Sequence, residues 1–210
     1  TVRDIDGHVY LTVIIGDYEW MAENLKVSTY NNGTVIPLVA ENDKWTELNT
    51  GAFCWYDNDE SNAQSYGALY NWYAVETGML CPDGWRVPSD MEWNYLEAYV
   101  DSLYVEGDLE WYKPALLRGY DAAKKLKALS GWRSGGNGTD NYGFCALPGG
   151  ERRVSDGTYF QLGGGGFWWS SAEEGPSEAW FRSMAYSFDQ SARNTHDKRF
   201  GFSVRCLRFE

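Results

Sequence analysis

The sequence predicts an α+β fold on three observations. A capped, periodic segment near residue 90 and a second periodic segment near residue 120 read as helices. Helical spacing vanishes after residue 130. Alternating, aromatic-rich segments then run to the end, so strands concentrate late.

Val9–Ile15 is rich in β-branched residues and closes on the turn pair Gly16-Asp17, so it reads as a strand. Glu19–Leu25 reads as a second short strand and turn. Residues 31–66 mix Asn, Asp, Gly and Ser with aromatics and read as loops holding short strands. A short helix is expected around Gly67–Glu76. Ser89-Asp-Met-Glu92 is a capping box, with Ser89 accepting a backbone N–H and Glu92 at the N3 position. Trp93, Leu96, Val100 and Leu103 follow at helical spacing and carry this helix to about Tyr104. A further helix is expected over Tyr120–Leu129, with Ala122, Ala123, Leu126 and Leu129 on one side and Lys124, Lys125 and Lys127 outward. Tyr142–Pro148 and Tyr159–Leu162 look like strands. Gly163–Gly166 leads into the strand-like Phe167–Ser171, and Ala179–Tyr186 and Phe202–Phe209 alternate as strands do. No repeat or dividing linker is evident, so residues 1–210 read as a single domain.

The 11 Trp, 15 Tyr and 9 Phe exclude a disordered chain. The formal net charge is −12, and residues 1–110 hold 20 of the 30 acids but only 4 of the 18 bases. Such acidity argues against nucleic-acid binding. The bases Arg182, Arg193, Lys198, Arg199, Arg205 and Arg208 read as a solvated region balancing the acidic half. No apolar run approaches the roughly 18 residues of a membrane span. No signal peptide is read at the start, so any targeting segment is expected to have been removed or left out.

The glycine run lacks a following Gly-Lys-Ser/Thr and a helix start. It reads as a strand crossing on which large aromatics pack, not as a phosphate cradle. His8 and His196 belong to no nucleophile–base arrangement. Asp57, Asp59 and Glu60 read as an exposed acidic loop without EF-hand spacing, and Glu173-Glu174 as a non-catalytic pair. Asn32-Gly-Thr34 and Asn137-Gly-Thr139 match the glycosylation pattern, which means nothing in a bacterial protein. The 4 cysteines form no CxxC pair and lie far from both histidines, which disfavours zinc. Their even count and wide spacing fit disulfides in an oxidising compartment, with the pairing left open.

Val9–Gly16 with Trp20–Leu25, Cys54-Trp-Tyr56, Tyr66–Tyr70, Cys81–Ser89 with Glu92-Trp93, Asp140–Phe144 with Leu147–Gly150, Trp168–Ser171 and Gly201–Cys206 follow one another in order. This series resembles the Fibrobacter succinogenes major paralogous domain, abundant in Bacteroidetes-type bacteria. The resemblance covers about residues 9–208. It implies a C-type-lectin-like fold with two main helices and small antiparallel sheets, related to formylglycine-generating enzymes and to the variable proteins of diversity-generating retroelements. It also implies a secreted or surface-attached protein, often a lipoprotein. By the same analogy Cys81 pairs with Cys206, which leaves Cys54 with Cys145. Most of the tryptophans, Trp20, Trp93, Trp168 and Trp169 among them, fall in or beside the matching motifs and read as scaffold.

In relatives, the segment matching Ala179–Cys206 interleaves framework with changeable positions. The framework set here is Ala179, Trp180, Arg182, Met184, Tyr186, Arg193, Lys198 and Gly201–Cys206. The changeable, ligand-facing set is Phe181, Ser183, Ala185, Ser187, Phe188, Gln190, Ala192, Asn194, Thr195, His196, Asp197, Arg199 and Phe200. A retroelement that mutates adenines in AAY codons reaches all of these except Gln190. The pattern suits active diversification and also an ordinary paralogue, and the paralogue is preferred. Phe181, Phe188, Phe200, His196 and Arg199 form the expected binding cluster, because aromatic and Arg side chains carry most interface energy.

The expected function is a non-enzymatic surface module for a protein or glycan ligand outside the cell, with no nucleic acid, metal, cofactor or membrane span. A calcium-dependent lectin would need a Glu-Pro-Asn or Gln-Pro-Asp loop and a Trp-Asn-Asp strand, which are missing. A formylglycine-type enzyme would need a late reactive cysteine pair. An adhesin-tip subunit is the third alternative.

Overall fold

The computed structural model describes residues 1–113 and 116–209. Among them, no helix is long and apolar enough to cross a membrane. The chain opens with β1 (Val2–Arg3), β2 (Val9–Tyr10), β3 (Thr12–Ile15) and β4 (Tyr18–Met21). The expected strand Val9–Ile15 is thus broken at Leu11, whose N–H donates to Glu23 Oε1 and whose carbonyl accepts from Ala22 N. Next come α1 (Asn42–Thr46), β5 (Phe53–Cys54), α2 (Ala63–Tyr66), β6 (Leu69–Tyr70) and α3 (Trp72–Val75). The helix expected around Gly67–Glu76 starts only at Trp72. Gly67, at φ +73°, ends α2, and Asn71 Oδ1 caps α3 by accepting the Ala74 N–H.

α4 (Asp90–Val100) begins on the predicted capping box: Ser89 Oγ accepts from Glu92 N, and Glu92 Oε2 accepts from Ser89 N. It stops short of Tyr104 because the Asp101 carboxylate takes the N–H groups of Leu103, Tyr104, Tyr120 and Asp121, turning the chain. β7 (Leu116–Arg118) precedes α5 (Ala122–Leu126). Beyond Leu126 the backbone extends, and Ala128 N donates to Ala146 O instead of continuing the helix. Ala122, Ala123 and Leu126 are buried as expected, whereas Lys127 is buried and Leu129 exposed, against expectation. Tyr142–Pro148 forms no strand, only a bridge between Ala146 and Lys127. The remaining strands are β8 (Glu151–Arg152), β9 (Tyr159–Phe160), β10 (Gly165–Glu173), β11 (Glu178–Ala185), β12 (Ser191–Asp197) and β13 (Leu207–Phe209).

The fold is α+β with small antiparallel sheets, ordered β10-β11-β12-β7 and β13-β4-β3 beside two-stranded pairs. One core cluster gathers Trp20, Trp93, Leu96, Ala122, Leu126, Phe144, Trp168 and Leu207. A second gathers Tyr70, Trp72, Trp169, Phe181, Phe200, Phe202 and Val204. The indoles also stitch irregular backbone together: Trp72 donates to Ser170 O, Trp168 to Asn24 Oδ1 and Trp169 to Tyr70 O, each at 2.9 Å. Such side chains fill large gaps while satisfying buried acceptors. Gly166 is the predicted crossing point, since a Cβ there would collide with the Trp168 ring.

Cys81 and Cys206 are joined by a disulfide, as the resemblance implied. The second pairing is corrected: Cys54 and Cys145 are free thiols. Cys54 is buried on β5 beside Arg152 and Tyr159, whereas Cys145 lies by Arg205 and Asp140, so their surroundings do not meet.

Candidate functional site

The four-stranded sheet has two unlike faces. Register places Phe181, Ser183 and Ala185 of β11 on the same face as Ala192, Asn194 and His196 of β12, Leu117 of β7 and Phe167 and Trp169 of β10. Side chains alternate along each strand, so Trp180, Arg182, Met184, Arg193, Thr195 and Arg118 take the other face. That second face is closed by α4, whose residues Asp90, Asn94 and Glu97 meet three arginines. Arg182 donates to Asp90 Oδ1 at 2.8 Å, to Asn94 Oδ1 at 2.7 Å and to Glu97 Oε2 at 3.3 Å. Arg118 pairs with the same Glu97 oxygen and with Asn94. Arg193 holds both Asp90 oxygens and stacks 3.4 Å from the Trp180 ring centroid. Burial alone would raise Asp90, but the Arg193 and Arg182 guanidiniums outweigh it and hold the carboxyl below its ordinary value. Burial pushes Arg118 down to about 10 despite Glu97.

The first face is closed at one end only. There Phe202 packs on Phe167 and Phe181, and His196 lies 3.5 Å, centroid to centroid, over Phe200. Burial on these rings lowers the His196 pKa, with Glu178 and Asp197 opposing. Towards the other end Ser183, Ala185 and Ala192 are half-buried and Leu117 is exposed, as is Asn194 opposite Phe181. This open end runs into the turn between β11 and β12. Lys127, buried, donates from Nζ to Ala185 O and Phe188 O and so clamps the turn. Lys124 N bonds Asp189 O, and Thr139 N bonds Lys124 O, so three segments meet there. They enclose a shallow cleft of about 650 Å³ lined by Tyr120, Lys124, Asn141, Ser187, Phe188 and Gln190, among others.

The model of the family described as the Fibrobacter succinogenes major domain matches residues 13–208. The chain belongs to this family. No curated protein and no solved structure matches it.

In this major domain the thirteen expected ligand-facing residues separate into groups. Ser183, Ala185, Ala192 and Asn194 gather on the open face, and Ser187, Phe188 and Gln190 line the adjoining cleft. Phe188 is 45% exposed. Phe181 and Phe200 are 5% and 7% exposed and belong to the core, which corrects their place in the binding cluster. Thr195 and Asp197 sit on the second face by strand parity, and Thr195 Oγ1 bonds Glu178 Oε2. Arg199 is spent on Asp197 and on Thr46 O. The basic tail is corrected too: Arg182, Arg205 and Lys198 are buried and bonded rather than solvated. Glu173 pairs with Lys198, and Glu174 accepts from Trp180 Nε1. Among the described residues, no group of three His, Cys, Asp or Glu could hold a metal ion. Sequence reasoning missed Leu117, Tyr120 and Asn141. The outward Lys124 and Lys125 were the nearest pointer to that wall of the cleft.

Proposed function

We propose that this chain is a non-enzymatic ligand-binding module of an exported or surface-attached protein. Its fold is read as C-type-lectin-like, with residues 1–210 forming one such domain, and its ligand is a protein or glycan outside the cell. The observation that carries the reading is the sorting of the tail: Ser183, Ala185, Ala192 and Asn194 share the open sheet face, while Arg182, Met184 and Arg193 alternate onto the closed one. Residues free to vary without unfolding the chain belong on such a face. The rigid, clamped turn beside it supports the same reading, because a preformed surface loses little entropy on binding. The Cys81–Cys206 bridge supports an oxidising location. It also commits the one late cysteine that formylglycine-type chemistry would call on.

The test is a screen of the intact chain against arrays of glycans and of displayed extracellular proteins. The double substitution Ser183→Arg and Asn194→Arg should abolish each hit while leaving the denaturation midpoint within error. Hits that survive this substitution would move the site elsewhere. An EDTA-sensitive hit would favour the calcium-dependent lectin.

A further inference from the structure

α4 has a third stripe that neither the core nor the arginine cluster uses: Met91, Tyr95 and Tyr99, four residues apart, which face outward. Tyr95 and Tyr99 are the middle of a row of five rings. Phe209 of β13 lies 5.6 Å from Tyr18 of β4, Tyr18 lies 5.5 Å from Tyr95, Tyr95 lies 6.2 Å from Tyr99, and Tyr99 lies 6.1 Å from Tyr142. Phe209 is 66% exposed and Tyr99 51%, with the other three half-buried. Exposed Met91, one helical turn before Tyr95 on α4, extends the apolar surface. The row is preorganised. Its rings brace one another edge to face at Phe209–Tyr18–Tyr95, and Tyr95 sits on the Gly16 turn so closely that a Cβ there would collide with it. Contiguous apolar surface of this kind is uncommon on a monomer and marks interaction sites.

Charge selects the occupant. Asp17 and Glu106 lie near enough to act on both Tyr18 and Tyr95, whose phenols are raised chiefly by partial burial and then by neighbouring carboxylates. Neither acid has an ion-pair partner among the described residues, whereas the nearby cations Arg86 and Arg208 are already spent on Glu92 and Glu19. Ring faces are themselves negative, so row and rim attract the same partner. A second copy in two-fold pairing would set this acidic surface against itself, at the cost of like-charge repulsion. We propose that the row Phe209–Tyr18–Tyr95–Tyr99–Tyr142 docks a cationic, extended peptide segment of another protein, its Arg or Lys side chains stacking on the rings and pairing with Asp17 and Glu106. This does not rest on the reading of the open sheet face.

The experiment is fluorescence anisotropy of the full chain with a labelled peptide alternating Arg and Gly, beside Gln-Gly and Glu-Gly peptides of equal length. The Arg peptide should bind and the other two should not. Tyr99→Ala with Phe209→Ala, which leaves the charge unchanged, should weaken binding about tenfold. Asp17→Asn with Glu106→Gln should weaken it and flatten its salt dependence. Tyr99→Phe should restore binding, and Tyr99→Ala alone serves if the double variant loses its fold. Equal binding by the ring variants would reduce the effect to bulk acidity and overturn the proposal. So would the absence of Arg-peptide binding, equal binding of the Gln peptide, or self-association of the chain that the same substitutions abolish.

Discussion

The two faces of the β10-β11-β12-β7 sheet share strands and register but differ in everything else. One holds the buried Arg118 and Arg182 and the half-buried Arg193 against Asp90, Asn94 and Glu97 of α4, so these positions depend on one another. The other, away from its Phe200–Phe202 end, carries Leu117 and the small or polar Ser183, Ala185, Ala192 and Asn194, all half-buried or exposed. Adjacent residues on a strand can therefore carry opposite constraints, since alternation alone decides which face each joins. A scaffold of this kind can change its surface without changing its core.

The sharpest way to break the contrast is to substitute neighbours. Arg182→Ala leaves Glu97 with Arg118 alone and Asp90 with Arg193 alone, strands hydrogen-bond acceptors in a buried cluster, and should cost about 3 kcal/mol, the low end of the range for breaking a buried pair. Ser183→Ala, one residue on, should stay within about 0.5 kcal/mol; denaturant midpoints measure both. Phe200→Ala should cost about 3 kcal/mol, the lower part of the range for a buried Phe because His196 can settle towards the void. Phe188→Ala should leave stability almost unchanged, and a large loss there would place the turn in the core. Lys127→Met should cost about 1–3 kcal/mol by stranding the Ala185 and Phe188 carbonyls, and should speed amide exchange in the 185–190 turn.

The smallest effect is a separation in pH. His196 and Asp90 both have lowered folded pKa values, so each contributes stability that is present above its unfolded value and lost as pH falls. For His196 the loss begins near its ordinary value of 6.5, and for Asp90 near 3.8. The midpoint difference between the chain and its His196→Gln variant should change as pH falls below about 6.5, and that of an Asp90→Asn variant only near 3.8 and below. A His196→Gln difference that is flat with pH would overturn the assignment.

Local patterns were the legible part of the chain. The Ser89–Glu92 box gives the start of α4, and the alternation of 179–186 gives β11, because both depend on residues close in sequence. The end of α4 was not legible: Asp101 ends it by capturing N–H groups from Tyr120 and Asp121, a contact no local window contains. β12 was hidden because Ser191–Asp197 is polar on both faces, so its hydropathy carries no period. The open-face residues were legible only through the family-like tail. Phe181 and Phe200 were misplaced because phenylalanine serves core and interface equally well, and what decides is Phe202 packing over them. Nothing local separates the buried Arg182 and Arg205 from surface arginines, because their partners are remote in sequence, on α4 for Arg182 and at Asn24 and Phe144 for Arg205.

The disulfide has a mechanical consequence. Cys81 and Cys206 are 125 positions apart, and the loop they close contains α4, α5 and every strand of the four-stranded sheet. Tension applied to the two ends of the chain passes from Cys81 to Cys206 through the sulfur atoms and bypasses that loop. A hard pull can peel β1–β4 and β13, yet residues 82–205 add nothing to the extended length until the bridge is reduced. The candidate binding face therefore sits in slack chain, sheltered from load.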